Sequence, residues 1–220
     1  MNMLQKIKSG LLIVLSIALL LPAVSAHAVT PKQQALSAYS RWLSGAKIQV
    51  MPTGFKDYNG VVHAPVPASQ TDFAIAYINN DSIPELIVRT SDKHYFSVLT
   101  YKNGKIVRTF YENDMYNTVK GYYSKTGMFV DTRTNRFHIN NEYYYIMGTA
   151  GVTKRLEASY FKDTGERGYY YYTKNNLVQP VSLKNHTEFR NKLLAFTKGK
   201  ALTPVKYYRN TAANRKNVLK

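Results

Sequence analysis

FAIAYINNDSIPELIV, residues 73–88, followed by HYFSVLTYKNGKIVRTFY, residues 94–111, decides the fold of this chain. Phe73 to Ile78 is apolar on both faces, as a central buried strand must be, and Leu86 to Arg89 continues the pattern beyond a polar turn. Asn103-Gly104 is a type I′ hairpin signal, because both positions of that turn need positive φ and these residues tolerate it. The turn sets a register: Lys102 faces Lys105, Thr100 pairs with Val107, Val98 with Thr109 and Phe96 with Tyr111. Tyr101 with Ile106 and Leu99 with Arg108 then share the other face, which its arginine marks as the one nearer solvent.

Outward from this hairpin the β pattern continues. Val119 to Tyr123, Met128 to Asp131, Tyr143 to Gly148, Lys154 to Phe161 and Tyr169 to Thr173 read as short strands, with turns at Lys125-Thr126-Gly127 and Asp163-Thr164-Gly165. Thr30-Pro31-Lys32-Gln33 opens a helix with Leu36, Tyr39 and Leu43 on one face, closed by Gly45. Lys47 to Met51 is a candidate short strand, and the Pro- and Gly-bearing stretch to Gln70 reads as an irregular loop. Asn185-His186-Thr187-Glu188 is a capping box for a second helix with Phe189, Leu193 and Phe196 inward and Gly199 at its end, and Asn210 is placed to cap a last one. The expected class is α+β: mainly an antiparallel β-sheet meander with an N-terminal helix and one or two C-terminal helices.

The N-terminus has the layout of a secretory signal: Lys6 and Lys8, an apolar run from Leu11 to Leu21, and small residues around Val24-Ser25-Ala26 and Ala26-His27-Ala28. The run is about 11 residues against the roughly 20 of a membrane helix, so residues 1–28 are expected to be a cleaved signal rather than a permanent anchor. The organisation that follows is a β-rich domain over 29–183 and a basic helical segment over 184–220, packed on that domain or appended to it. Removal of Lys6 and Lys8 leaves 28 basic against 13 acidic residues, a balance of +15. Ten of the basic residues fall between Lys184 and Lys220, against Glu188 alone. Lys184, Arg190, Lys192, Lys198, Lys200, Lys206, Arg209, Arg215 and Lys216 are therefore the candidate ligand-binding residues, suited to a polyanion.

The loop within the opening stretch, Asn79 to Glu85, has the outline of a D-x-D-x-D-G-x-P-E-L cation loop, in which oxygen ligands alternate around a tight turn. With the downstream YKNGKIV it resembles the modules carrying that motif in secreted or lipid-anchored proteins of Gram-positive bacteria, themselves similar to FG-GAP and VCBS repeats. The resemblance covers about 40 residues and implies a β-rich, extracytoplasmic domain without an assigned activity. Asn79, Asp81 and Glu85 would be its metal ligands and calcium its ion. Tyr77 and Ser82 stand where the motif has Asp and Gly, which leaves two charged ligands, and a polar turn held by Asn and Asp side chains is the alternative.

With no Cys, disulfides, thiolate metal sites and thiol nucleophiles are excluded. HExxH, G-x-S-x-G and P-loop spacings are absent, and His27, His63, His94, His138 and His186 are scattered singly. Asp81, Glu85, Asp114, Asp131 and Glu142 are the carboxylates from which a hydrolytic pair would have to come. Nineteen Tyr, clustered at 122–123, 143–145 and 169–172, place rings on both faces of their strands beside Lys and Arg, a composition that stacks on sugars or bases. The leading expectation is a secreted, non-catalytic protein of the cell envelope that binds an anionic wall polymer or an acidic surface protein. Nucleic acid is a less favoured partner. A small extracellular hydrolase or nuclease and a secreted inhibitor or immunity-type protein are the alternatives.

Overall fold

The computed structural model describes residues 28–57, 59–113, 118–134, 139–148, 151–161, 164–173 and 180–220. Almost all of the expected signal segment, with Asp114 and His138, lies outside the described residues. Helix α1, Pro31–Leu43, starts as its sequence dictates: Thr30 Oγ1 accepts from the Gln33 amide at 3.2 Å, and Gln33 Oε1 accepts from the Thr30 amide at 2.9 Å. Removing this cap in Thr30→Ala is expected to cost about 1 kcal/mol and to lower the melting temperature by about 2–4 °C in a thermal denaturation.

The strands are β1 (Lys47–Ile48), β2 (Val66–Pro67), β3 (Thr71–Ala76), β4 (Glu85–Thr90), β5 (Tyr95–Lys102), β6 (Lys105–Asn113), β7 (Thr118–Tyr123), β8 (Met128–Thr134), β9 (Ile139–Gly148), β10 (Gly151–Phe161), β11 (Arg167–Thr173), β12 (Val181–Ser182), β13 (Thr203–Pro204) and β14 (Tyr208–Arg209), with α2 at His186–Thr197 and α3 at Ala212–Val218. Two antiparallel sheets dominate, one in the order β14-β3-β4-β5-β6 and the other β12-β11-β10-β9-β8-β7-β13. The stretch read as irregular contains β2, which pairs with β1, and a 3₁₀ turn at Ala68–Gln70, and the strand expected over 47–51 is shortened to β1.

Burial resolves into helix, sheet, sheet and helix layers. Leu36, Tyr39 and Leu43 of α1 pack on Phe73, Leu86, Val88 and Leu99 of the smaller sheet. The other face of that sheet, with Ala74, Ile87, Phe96 and Val98, packs on Val119, Phe129 and Tyr145 of the larger one. The far face of the larger sheet, with Met128, Val130, Tyr144 and Leu156, is covered by Phe189, Leu193 and Phe196 of α2. Among the described residues no helix is long and apolar enough to cross a membrane.

The Asn103-Gly104 turn forms with φ of 52° and 77°, and the pairs nearest it, from Lys102/Lys105 to Leu99/Arg108, keep the expected register. Beyond them a β-bulge shifts the ladder by one residue, so that Val98 faces Phe110 and Phe96 faces Glu112 in place of Thr109 and Tyr111. The shift has a packing cause. It turns Phe110 onto the side of Phe96 and Val98, where its ring meets Phe129 at 5.3 Å and Tyr145 at 4.6 Å across the sheets. The face expected nearer solvent is also corrected, since α1 covers it: Leu99 is 2% exposed, whereas Val107 on the opposite face is 41% exposed. Arg108 satisfies its guanidinium inside, donating to Ser97 Oγ at 2.9 Å and to the Gln49 carbonyl at 2.6 Å.

Residues 184–220 are woven into both sheets. β13 pairs with β7, β14 pairs with β3, and Leu219 joins the core under α1. Gly121 permits the first pairing, because a Cβ there would lie 2.8 Å from the Thr203 carbonyl oxygen. The last helix is capped by Thr211, not by Asn210. Asn210 is buried instead, donating to the Leu43 carbonyl at 3.0 Å and to Thr71 Oγ1 at 3.1 Å and accepting from Arg215 at 2.7 Å.

Candidate functional site

The nine basic candidates do not form one patch. Arg215 holds Asn210, Lys200 donates to the Ser124 carbonyl at 2.7 Å, and Arg209 pairs with Ser91 and, at 3.6 Å, with Asp72. Lys192 and Lys206 lie over the rings of Tyr171 and Tyr208, while Lys184 and Lys216 are exposed. Arg190 lines a groove beside α2, and Lys198 a larger cleft at the end of the sheets.

The groove, about 390 Å³, lies between the first turns of α2 and the outer face of β9 to β11. Asn185 starts the helix by accepting from the Glu188 amide at 3.0 Å, and Glu188 reaches back to the Lys184 amide at 2.8 Å, one residue earlier than a capping box would. That start seats Phe189 against Tyr144 and Tyr169, at 5.6 Å and 5.2 Å, and leaves His186 and Arg190 along the rim. The sheet contributes Tyr144, Tyr169, Tyr160 and Arg167, whose guanidinium stands 5.6 Å from the Tyr160 ring. Glu142 supplies the carboxylate, already accepting from Lys120 and Tyr144 at 2.8 Å and 2.7 Å; those bonds outweigh its desolvation and hold its pKa below the ordinary carboxylate value. The groove thus presents two guanidiniums and aromatic edges around a neutralised acid.

The broad exposed tyrosine face expected from composition is not formed. Among the described residues only Tyr111 and Tyr160 are exposed, because Tyr122, Tyr143 and Tyr145 pack on the smaller sheet's side and Tyr123, Tyr144, Tyr169 and Tyr171 on the side of α2. Alternation along a strand correctly put rings on both sides, but it could not report which sides other layers cover.

The three proposed metal residues, Asn79, Asp81 and Glu85, line one cleft, and each gives an oxygen to the backbone. Asn79 Oδ1 accepts from the Asp81 amide at 3.0 Å and Asp81 Oδ1 from the Ile83 amide at 2.8 Å, so both side chains build the turn. Glu85 is 0% exposed and its Oε2 accepts from the Ile78 amide at 2.8 Å, while Oε1 has no hydrogen-bond partner among the described residues. Burial pushes its carboxyl up to about 7, partly offset by the Ile78 hydrogen bond and reinforced by Asp81. Among the described residues no group of three or more His, Asp and Glu is placed to hold a metal ion. Of the other carboxylates, Asp131 is fully buried against Arg133 at 3.3 Å, whereas Asp81 and Glu85 line the larger cleft together.

That cleft, about 740 Å³, joins turns that are remote in the chain: the Asn79–Glu85 loop, the Asn103-Gly104 hairpin, the Lys125-Thr126-Gly127 turn and the end of α2. The Lys125 and Gly127 amides donate to the Tyr77 and Ile78 carbonyls at 3.0 Å and 2.8 Å, which ties the two sheets together at its floor. No sequence pattern links these segments, although each was recognisable singly as a turn. Comparison of the chain with protein-family models, with curated proteins and with solved structures gives no match.

Proposed function

We propose that the protein is exported and acts without catalysis at the cell envelope, holding an anionic polymer in the groove between α2 and strands β9 to β11. The observation that supports this reading is the meeting of Arg167, Arg190 and His186 with Tyr144, Tyr160 and Tyr169 along one groove. Guanidiniums pair with phosphate or carboxylate in a planar fork, and aromatic edges and faces take up the apolar side of sugar rings. The balance of +15 beyond residue 28 draws such a polymer from a distance and makes the attraction fall with salt.

Residues 29–220, incubated with isolated cell walls with and without teichoic acid, should be retained in low salt and released as salt rises. Retention should depend on the anionic polymer. The double variant Arg167→Ala, Arg190→Ala changes two exposed side chains and should weaken binding by about tenfold, the 1.4 kcal/mol of two partly screened ion contacts. Salt-independent retention, or equal binding by the double variant, would overturn the assignment.

A further inference from the structure

The larger cleft contains a feature that the polymer groove does not use. At its rim stand the exposed Lys102, Lys125 and Lys198, brought from a hairpin, a turn and a helix end, and at its base lies Glu85 with a fully buried oxygen that has no partner among the described residues. A buried polar atom left unsatisfied is destabilising unless something pairs with it.

Different occupants satisfy these groups differently. A bare divalent cation needs six or more oxygen ligands. Here Asn79 Oδ1, Asp81 Oδ1 and Glu85 Oε2 are already engaged with backbone amides, and three ammonium groups oppose positive charge at the mouth. An inorganic anion suits the lysines and leaves the Glu85 oxygen unpaired. An apolar molecule answers neither group. An oxyanion at one end and hydroxyls at the other answer both, and a cavity of this size takes a molecule well beyond a single ion.

We propose that this cleft is a second binding site and that its occupant is a polyol or sugar phosphate, with the phosphate held by Lys102, Lys125 and Lys198 and a hydroxyl paired with Glu85 Oε1. The hydroxyl can donate to the carboxylate or accept from the carboxylic acid. The floor is preformed by the Lys125 and Gly127 hydrogen bonds and by Tyr39, whose hydroxyl donates to the Pro84 carbonyl at 2.9 Å beside Glu85. Such a group is either a free small molecule or a terminal unit of a phosphate-linked envelope polymer.

Titration calorimetry on residues 29–220 with glycerol 3-phosphate, poly(glycerol phosphate), inorganic phosphate, glycerol and calcium chloride tests the site. Glycerol 3-phosphate should saturate one site about tenfold more tightly than inorganic phosphate. If the polymer alone saturates that site, the group recognised is a chain end; if the monomer does so equally, it is the free molecule. Lys102→Ala, Lys125→Ala and Lys198→Ala combined should abolish binding of either form. Glu85→Gln keeps an acceptor for Ile78 and a partner for the hydroxyl and should stay within about threefold of the parent, whereas Glu85→Met should reduce glycerol 3-phosphate to the affinity of inorganic phosphate. The folded state of Glu85→Met is checked by its thermal melt, and the triple lysine variant decides the matter if it is unfolded. Equal affinity for the two phosphates, calcium binding that excludes glycerol phosphate, or no binding of glycerol phosphate or its polymer up to about 10 mM would overturn the inference. The Arg167→Ala, Arg190→Ala variant should leave this site unchanged, so failure of the groove and failure of the cleft are separately visible.

Discussion

Deletion of residues 184–220 is expected to unfold the remainder instead of shedding a tail. The deletion removes Phe189, Leu193 and Phe196 from the face of the larger sheet and Leu219 from the core under α1. At about 1.5–3 kcal/mol for each fully buried side chain, and about half that for the partly buried Leu193 and Phe196, the loss is about 5–9 kcal/mol, comparable with the whole stability of a domain. It also strips β13 and β14 from their sheets, exposing the ladders of β7 and β3, and takes Asn210 from the Leu43 carbonyl. Residues 29–183 should show no cooperative thermal transition by circular dichroism. A transition within about 10 °C of that of residues 29–220 would show that the segment is dispensable. The same expectation makes point variants the proper test of wall binding, since loss of binding in the truncated chain would only report loss of fold.

Glu85→Gln should remove a pH dependence that the parent protein shows. The Glu85 carboxyl titrates from an ordinary 4.5 up to about 7 in the fold, chiefly because burial disfavours its charged form, with Asp81 adding repulsion against the Ile78 hydrogen bond. A raised folded value means that the native state holds the proton more tightly. The corresponding stability is therefore present in full below pH 4.5 and is lost as pH rises through about 7. The loss is about 3 kcal/mol, or roughly 6–12 °C in melting temperature for a protein of this size. Tyr39, a second hydroxyl-bearing group beside it, is itself pushed upward by burial and by Glu85, and stays neutral over this range. Melts between pH 4 and pH 8.5 should diverge, with Glu85→Gln the more stable at the alkaline end; parallel curves would show that the carboxyl is solvated.

Several elements were legible because their causes are local. The Thr30/Gln33 box, the Asn103-Gly104 turn and the left-handed Gly127 each depend on residues within a few positions. The hairpin register holds for the pairs nearest its turn and fails at the bulge, because the side on which Phe110 must lie is set by Phe129 and Tyr145 of another sheet. Asn210 illustrates the same limit. As a local signal it caps a helix, yet in the fold its amide serves the Leu43 carbonyl, which no nearby residue announces.

Sequence alone determined the α+β class, most strand and helix positions, the absence of thiol chemistry and the excess of positive charge. Those follow from side-chain periodicity, backbone preference and composition, which act over a few residues or over the whole chain. Only the tertiary structure decided which faces are covered, that the basic segment is part of both sheets, that the described tyrosines are mostly buried or half-buried, and that three lysines and a buried glutamate share one cleft. Burial and desolvation arise between segments distant in the chain, so the charge state of Glu85 and the company of Lys102, Lys125 and Lys198 exist only once the sheets have packed.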